Sequence, residues 1–487
     1  MTKGYKLFVV IPNKSSKSAF LATPMTFSMY PLFTRLMNSI GIIGGGITGL
    51  TAAYRLKQRE KRIVLYEASP RVGGPVQSIR RNGYLAEFGP NTLLETSSAI
   101  SSLIHDLGIG SRMIYAGEEA RHRFIVQNKK PIALPTSPLT FFSTSLFSAG
   151  AKLRLMREPF ITSFAENREE SVAEFVKRRL GNEFLDYAID PFVSGVYAGD
   201  PEKLSVVHAF PKLYALEQQY GSLIKGQIKG RGNRRKNAEV SKDRARMFSF
   251  DEGLQVLIDA LHHSLIQEIK LNTFITKIER IAEGWKVYYN DNGTEYINTH
   301  SSLILTLPAY KLAEIEHNID GIDLSSLKEI YYPPVASLTL GFKRTDVAHS
   351  LDGFGMLIPK KENLHILGTL FSSTLFLNRA PKDHVLLTSY IGGSRSPEFA
   401  SANESDQIEF VLKDLHTLLG VHGEPTFIHR TYYPKAIPQY TIGYGKYKTL
   451  FDALEAKAPG VFIVGNYRNG ISLSDCITAA NTIAENS

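Results

Sequence analysis

Ile40-Gly41-Ile42-Ile43-Gly44-Gly45-Gly46-Ile47-Thr48-Gly49 opens a stretch, running on to Gly74, whose reading decides the fold. The apolar run 40–43 reads as a strand, the glycines as a turn, and Leu50 to Leu56 carries helical spacing. A strand, glycine turn and helix in this order can hold a phosphate without a lysine. Gly44 allows the tight turn, Gly46 lets backbone approach a pyrophosphate, and Gly49 lets helix pack on strand. The helix N-terminus adds unpaired N–H donors and the positive end of its dipole. Gly45, Ile47 and Thr48 complete the turn. Ile63-Val64-Leu65-Tyr66 reads as a second buried strand ending in Glu67, about 20 residues downstream, where a carboxylate meets ribose hydroxyls. Together these features predict a dinucleotide site; the glycines alone would be only a glycine-rich loop.

The next segment, Glu67-Ala68-Ser69-Pro70-Arg71-Val72-Gly73-Gly74, bears on which dinucleotide. Its Glu-x-x-x-Arg-x-Gly-Gly pattern resembles the amine oxidase and phytoene desaturase superfamily. That resemblance implies FAD, with Arg71, Gly73 and Gly74 against its phosphates and Pro75 and Val76 following. A charged turn with a flexible tip is the plainer reading. The resemblance also places Gly89, Pro90, Asn91 and Thr92 beside the ring and Ile275 near the adenine. Gly465, Asn466, Ile471, Ser472 and Leu473 fall near the isoalloxazine.

The chain has 487 residues, enough for two or three domains, with 43% hydrophobic and 21% charged residues, as in a soluble or peripherally bound enzyme. One cysteine, Cys476, excludes an internal disulfide framework and a cysteine-rich metal site, so a reducing interior is the default. No His and carboxylate cluster shows metal-ligand spacing, and His262-His263 reads as a polar pair on a helix. The net charge of +9 is concentrated: residues 1–39 carry +5 and residues 225–247 carry +7, leaving −3 elsewhere. The basic stretch Lys225 to Met247 reads as an inserted loop, either solvated or touching anionic lipid. Nucleic acid is not expected, because aromatics that could stack on bases are not interleaved with the charges.

Residues 1–39 lack acids and are rich in hydroxyls, as transit peptides are, although translation could also begin at Met25, Met29 or Met37. The expected location is cytoplasmic or peripheral on the cytoplasmic membrane, with organelle import open if that extension is real. No run of about 20 apolar residues is present. Pro131 to Ala151 comes nearest, but three prolines interrupt it. Leu139-Thr140-Phe141-Phe142 with Leu146-Phe147 could dip into one leaflet as a monotopic contact, or pack under a loop as core.

The expected fold class is α/β: a Rossmann-like FAD-binding domain, a mixed-sheet substrate domain and a helical, membrane-associating domain. Val461 to Asn466, then Ile471 to Cys476 and a helix starting near Ser474-Asp475, make a second flavin-like piece at the far end of the chain, so the cofactor domain is discontinuous. Its pieces are expected at 40–112, 248–310 and 431–487. Residues 113–247 are expected to hold a helical, membrane-associating and substrate region with the basic loop 225–247, in which Ser171 precedes the helical spacing of Val172, Phe175, Val176 and Leu180. Residues 311–430 form the substrate side, with strands over Ala336 to Phe342, Met356 to Pro359, Leu367 to Leu370 and Val385 to Ile391.

Several further segments, in order, resemble the protoporphyrinogen oxidase family. They are Arg123-Phe124, Phe175 to Gly181, Ser194 to Asp200, Phe210 to Leu213, Gly353-Phe354-Gly355, Ile437 to Gly443 and Asp475-Cys476-Ile477. The similarity runs from Ile40 to the C-terminus, apart from the basic insertion. It implies a six-electron oxidation of protoporphyrinogen IX, with molecular oxygen reoxidising the flavin to give hydrogen peroxide, in haem synthesis. The cofactor performs the hard step, so no catalytic side chain is expected. Arg123 matches the arginine that meets a propionate, Phe354 and Leu357 the pair that sandwiches a pyrrole, and Gly195 a glycine facing the substrate. Outside the resemblance these are a surface arginine, two core residues and a helix-ending glycine.

Two departures stand out: Pro75, where relatives often carry an aromatic, and the looser Gly465 to Cys476 segment. Coproporphyrinogen III oxidation is the nearest alternative, expected to require more cations. Amine oxidation or carotenoid desaturation on the same fold follows, although the strand Pro334 to Gly341 lacks the lysine common in amine oxidases. A porphyrin carrier without catalysis is the reading from another class. The oligomeric state is open, a homodimer among the possibilities.

Overall fold

The computed structural model describes residues 39–162, 168–229, 245–291 and 293–486. The N-terminal extension before Ser39 and the middle of the basic stretch, 230–244, lie outside the described residues. Strand Ser39–Ile43 runs at the centre of a five-stranded sheet, between Arg62–Tyr66 and Ser302–Leu305, with Ile269–Lys270 and Val461–Ile463 at the edges. All four pairings are parallel. Parallel strands are covered on both faces, which is why these segments read as unbroken apolar runs. On one face Ile42, Leu65 and Ile304 pack with Leu50, Leu56, Leu261, Ile477 and Ala480 from helices Ile47–Gln58, Gln255–Leu265 and Leu473–Asn486. On the other, Ile43, Leu303, Leu305 and Ile463 meet Ile275, Ile278 and Val287 of a four-stranded sheet.

A seven-stranded sheet forms the second layer, in the order Phe427–Tyr433, Val335–Lys343, His384–Gly392, Ile366–Leu370, Gly355–Leu357, Arg123–Gln127, Lys130–Ala133. Helix Glu404–Leu419 covers it through Val411, Leu415 and Leu418. The four strands expected on the substrate side are all present. Strands Arg123–Gln127 and Lys130–Ala133 come from the segment expected to be a largely helical and substrate region: Phe124 to Val126 is too short a run to show a period, and the partner strand Gly355–Leu357 lies far along the chain. Sequence-based boundaries also cut through layers. Glu316–His317 pairs with Thr273–Ile281 of the four-stranded sheet, and strand Phe427–Tyr433 runs across residue 430.

Helices do dominate the rest of the middle segment. Ser171 and Glu174 cap helix Val172–Arg179 reciprocally, with bonds of 3.0 and 2.9 Å. Arg179 is fully buried and donates to Glu217 at 2.7 Å and Glu158 at 3.3 Å, tying three helical segments together. The ends of the basic stretch are regular structure: Lys225 to Lys229 finish helix Leu223–Lys229, and Met247 opens strand Met247–Phe250. The proposed leaflet patch divides. Leu146 and Phe147 are core, Phe147 stacking on Phe184 with ring centres 4.4 Å apart, whereas Leu139 and Phe142 are exposed.

Two buried titratable groups sit at the joints. His300 holds Ser39 Oγ and Tyr66 Oη at 2.8 Å each, and burial lowers its pKa to about 4. Glu87 is raised to about 7 by burial, against the opposing effects of the Ser78 hydroxyl (2.5 Å), the Arg379 guanidinium and the Leu254 N–H (3.0 Å). The signs are opposite. Between about 4 and 6.5 the unfolded chain binds the His300 proton and the folded one does not, so the His300 contribution to stability is lost as pH falls. Between about 4.5 and 7 the folded chain keeps the Glu87 proton, so that contribution is lost as pH rises. Each is on the order of 3 kcal/mol over its full range. The two slopes should offset each other between about pH 4.5 and 6.5. In urea midpoints measured across this range, H300Q should expose a fall in stability with rising pH and E87Q a gain.

Candidate cofactor and substrate site

The glycine turn is fixed by close approach. Gly44, at φ +112°, donates its N–H to Tyr66 O at 2.9 Å, and a Cβ on Gly49 would lie 1.9 Å from Gly44 O. Gly46 differs: a Cβ there would meet nothing within 4 Å, so the turn is open on that side. The helix that begins at Ile47 has no acid in its first turn and no side-chain cap, which leaves its N-terminal donors available to an anion. Glu67 stands beside this opening. Its Oε2 accepts from Gly45 N–H at 2.7 Å and its Oε1 from Ser69 N–H at 2.8 Å, and each oxygen keeps a further lone pair for a hydroxyl.

Gly73 N–H donates to Gly45 O at 2.8 Å and so brings the second glycine pair against the first. Arg71 lies back on its own loop, donating to Val72 O at 3.0 Å and Gly74 O at 2.6 Å, while Val76 is buried. Pro75 touches the next segment, since a Cβ on Gly89 would lie 2.8 Å from Pro75 O. Asn91, flanked by half-buried Pro90 and Thr92, donates to Gly89 O at 3.1 Å and to Tyr390 Oη at 2.6 Å. Tyr390 belongs to strand His384–Gly392, so this bond joins the two layers.

The C-terminal end arrives at the same place. Strand Val461–Ile463 leads to Gly465 and Asn466, whose carbonyl accepts from Tyr440 Oη. Ser472 and Asp475 cap helix Leu473–Asn486 reciprocally, at 3.1 and 3.3 Å, so the helix starts slightly ahead of Ser474-Asp475. Ser474 Oγ donates to Leu94 O at 2.9 Å, close to the Gly89–Thr92 segment. Ile471 and Ile275 both contribute to the core between the sheets. These residues fit a flavin dinucleotide: an open backbone cradle, a fixed carboxylate and a helix N-terminus converge from both ends of the chain.

The four candidate substrate residues fall into two contacting pairs at strand Gly355–Leu357. Parallel pairing sets Arg123 opposite Gly355 and Ile125 opposite Leu357, and the Arg123 guanidinium carbon lies 5.6 Å from the centre of the Phe354 ring. From the helical side, Gly195 approaches so closely that a Cβ would lie 2.4 Å from Leu357 Cδ2. Arg123 is exposed, and Phe354 and Leu357 are half-buried. Tyr390 and the ion pair Asp190–Arg395 were not singled out from the sequence; their partners lie on distant segments, and no local pattern marks them.

A parallel sheet with an open glycine turn, packed under the C-terminal helix and joined to a mixed sheet that bears Arg123 and Phe354, is the framework of a flavin-dependent oxidoreductase. The chain belongs to the flavin containing amine oxidoreductase family, which matches residues 47–486. It is 36% identical over 472 residues to protoporphyrinogen oxidase 2, chloroplastic/mitochondrial, of Arabidopsis thaliana, covering 92% of this chain and 93% of that one. It is 30% identical over 450 residues to coproporphyrinogen III oxidase of Bacillus subtilis strain 168, covering 90% and 95%. A crystal structure from Exiguobacterium sp. 255-15 shares the fold with a TM-score of 0.76 at 24% identity, covering 92% and 98%.

The glycines separate packing from cofactor contact. G49A should lower both the melting temperature of the flavin-free protein and its flavin content. G46A should lower flavin content alone, measured as visible flavin absorbance per mole of protein beside apo-protein melting.

Proposed function

We propose that this chain is an FAD-dependent, oxygen-using porphyrinogen oxidase that converts protoporphyrinogen IX to protoporphyrin IX with release of hydrogen peroxide. The observation that carries this reading is the pair of contacts at strand Gly355–Leu357, the Arg123 guanidinium beside the Phe354 ring and Gly195 packed on Leu357. That arrangement suits a broad apolar ring with carboxylates on one margin, and the names of the plant relatives support it.

Bound FAD would supply a two-electron acceptor for hydride. The turn Gly44 to Gly49 and the Arg71 to Gly74 loop would hold its phosphates, Glu67 its ribose, and Gly89 to Thr92 with Asn466 to Leu473 its ring end. Arg123 would clasp a propionate through paired N–H donors. Phe354 and Leu357 would hold a pyrrole flat, and the missing Cβ of Gly195 would let Leu357 pack on the helix behind it. Pyrrole N–H protons can leave by tautomerisation, so the slot does without a strong base. Coproporphyrinogen III is the second reading, favoured by the similarity to the Bacillus enzyme.

Among the described residues no helix is long and apolar enough to cross a membrane. The exposed side chains do suit a monotopic contact. Leu139 and Phe142 are 84% and 54% exposed on helix Pro138–Ser143, and Phe160 is 85% exposed. Leu153 and Met156 are exposed on the same face of helix Ala149–Arg157 and lead to Phe160. Lys225 Nζ lies 5.8 Å from the Phe160 ring and adds a cation for anionic headgroups.

Anaerobic addition of protoporphyrinogen IX should bleach the flavin, and turnover on that substrate should exceed turnover on coproporphyrinogen III; the reverse preference transfers the assignment to the second reading. R123A should raise KM between tenfold and a hundredfold, the loss of about 1.5–3 kcal/mol in a charged hydrogen bond, with flavin content unchanged. The triple variant L139S/F142S/F160S should no longer sediment with anionic vesicles.

A further inference from the structure

Helix Asp190–Tyr197, which carries Gly195, is fastened at both ends to chain segments beside Leu357. At its N-terminus, Asp190 Oδ2 accepts from Lys360 N–H at 2.7 Å and from Arg395 Nη2 at 2.9 Å. The same guanidinium donates through Nη1 to Ile358 O at 2.9 Å. Ile358 follows Leu357 directly. One arginine therefore spans from the helix that carries Gly195 to the strand end that carries Leu357. At the other end of the helix, Ala198 O accepts from Ser394 N–H at 2.7 Å, and Tyr197 O accepts from Gln439 Nε2 at 2.8 Å. The short segment that contains Ser394 and Arg395 thus touches both ends of the helix.

The pair is nearly enclosed, with 10% and 11% of the two side chains exposed. Burial raises the Asp190 carboxyl above its ordinary range, while Arg395 and the Lys360 N–H oppose the shift. Enclosing two charges is costly, and well-packed apolar residues often serve stability as well or better. What the guanidinium fork supplies that an apolar pair would not is direction: two planar donors, one for each side of the gap.

We propose that Asp190 and Arg395 are positioning residues that hold Gly195 packed on Leu357, and so set where this wall stands against a flat tetrapyrrole lying beside it. This inference rests on the reading of Gly195 and Leu357 as walls of the substrate slot. Neither residue of the pair is assigned a contact with substrate; both act through the walls. Since Gly195 is in van der Waals contact with Leu357, a small shift of the helix displaces the two together and alters binding more than chemistry.

The test compares R395Q, R395K, the double variant D190N/R395Q and G195A with the wild-type holoenzyme. Binding of protoporphyrin IX is followed by fluorescence, with KM and kcat for protoporphyrinogen IX, flavin content and melting temperature measured alongside. R395Q should weaken protoporphyrin binding and raise KM at least tenfold, with kcat within threefold and flavin content unchanged. R395K, which keeps the charge but cannot reach both acceptors with a planar fork, should fall between R395Q and wild type. The double variant leaves no stranded charge and should bind as weakly as R395Q, which keeps the test decisive if the single variant folds poorly. A merely structural pair would lower the melting temperature and leave binding at lower temperature unchanged, which overturns the proposal. Unchanged binding in G195A removes the slot reading and the clamp with it. Weakened binding in G195A, with wild-type binding in all the Arg395 variants, overturns the clamp alone.

Discussion

Everything in this molecule depends on the central strand Ser39–Ile43 being paired on both sides. Buried backbone N–H and C=O groups have to be satisfied, and a strand in the middle of a parallel sheet has only its neighbours to satisfy them. One neighbour, Arg62–Tyr66, lies close in sequence. The other, Ser302–Leu305, is reached only after the substrate side has been started, and it recruits Val461–Ile463 in turn. The two ends of the chain are brought together by hydrogen-bond geometry before any cofactor is considered. Helix Leu473–Asn486 then packs on helix Ile47–Gln58 in one apolar core.

The second layer obeys the same rule with a different result. Strand Arg123–Gln127 leaves a largely helical segment to pair in parallel with Gly355–Leu357, and this single pairing aligns Arg123 with Phe354. The helical segment returns to the other side of Leu357 through Gly195. Arg123, Phe354, Leu357 and Gly195 thus lie along a seam between three stretches of chain. Charged groups are buried along the seams: Glu87 near Arg379, Asp190 with Arg395, and Arg179 with Glu158 and Glu217. Apolar packing would tolerate sliding at such places, whereas hydrogen-bonded charges favour one relative placement.

Legibility in the sequence followed the range of the interactions involved. The glycine turn and the helix start at Ser171 are local, because they are decided within a few consecutive residues. Glu67 is read from its place at a strand end although it reaches back to Gly45, and the cap at Ser472 lies ahead of the expected start at Ser474-Asp475. The apolar runs of the parallel sheet were readable for a related reason, both faces being covered. Strand Arg123–Gln127 was not, since a few apolar residues between charges suit a strand, a loop or a helix end equally. Leu146 and Phe142 show the same limit. They are nearly adjacent and chemically alike, yet Leu146 is core and Phe142 is exposed, and only the position of Phe184 and Ile125 explains the difference.

What the sequence determined by itself was the strand, glycine turn and helix, the acid beside them and the family to which the chain belongs, because glycine conformation and short-range capping are written in consecutive residues. The tertiary structure alone decided that Arg123 faces Phe354, that Gly195 closes on Leu357 and that Arg395 reaches Asp190. Those contacts join residues whose separation along the chain leaves no periodic or local trace. Their partners are chosen by sheet register and helix packing, which exist only once the whole chain has folded.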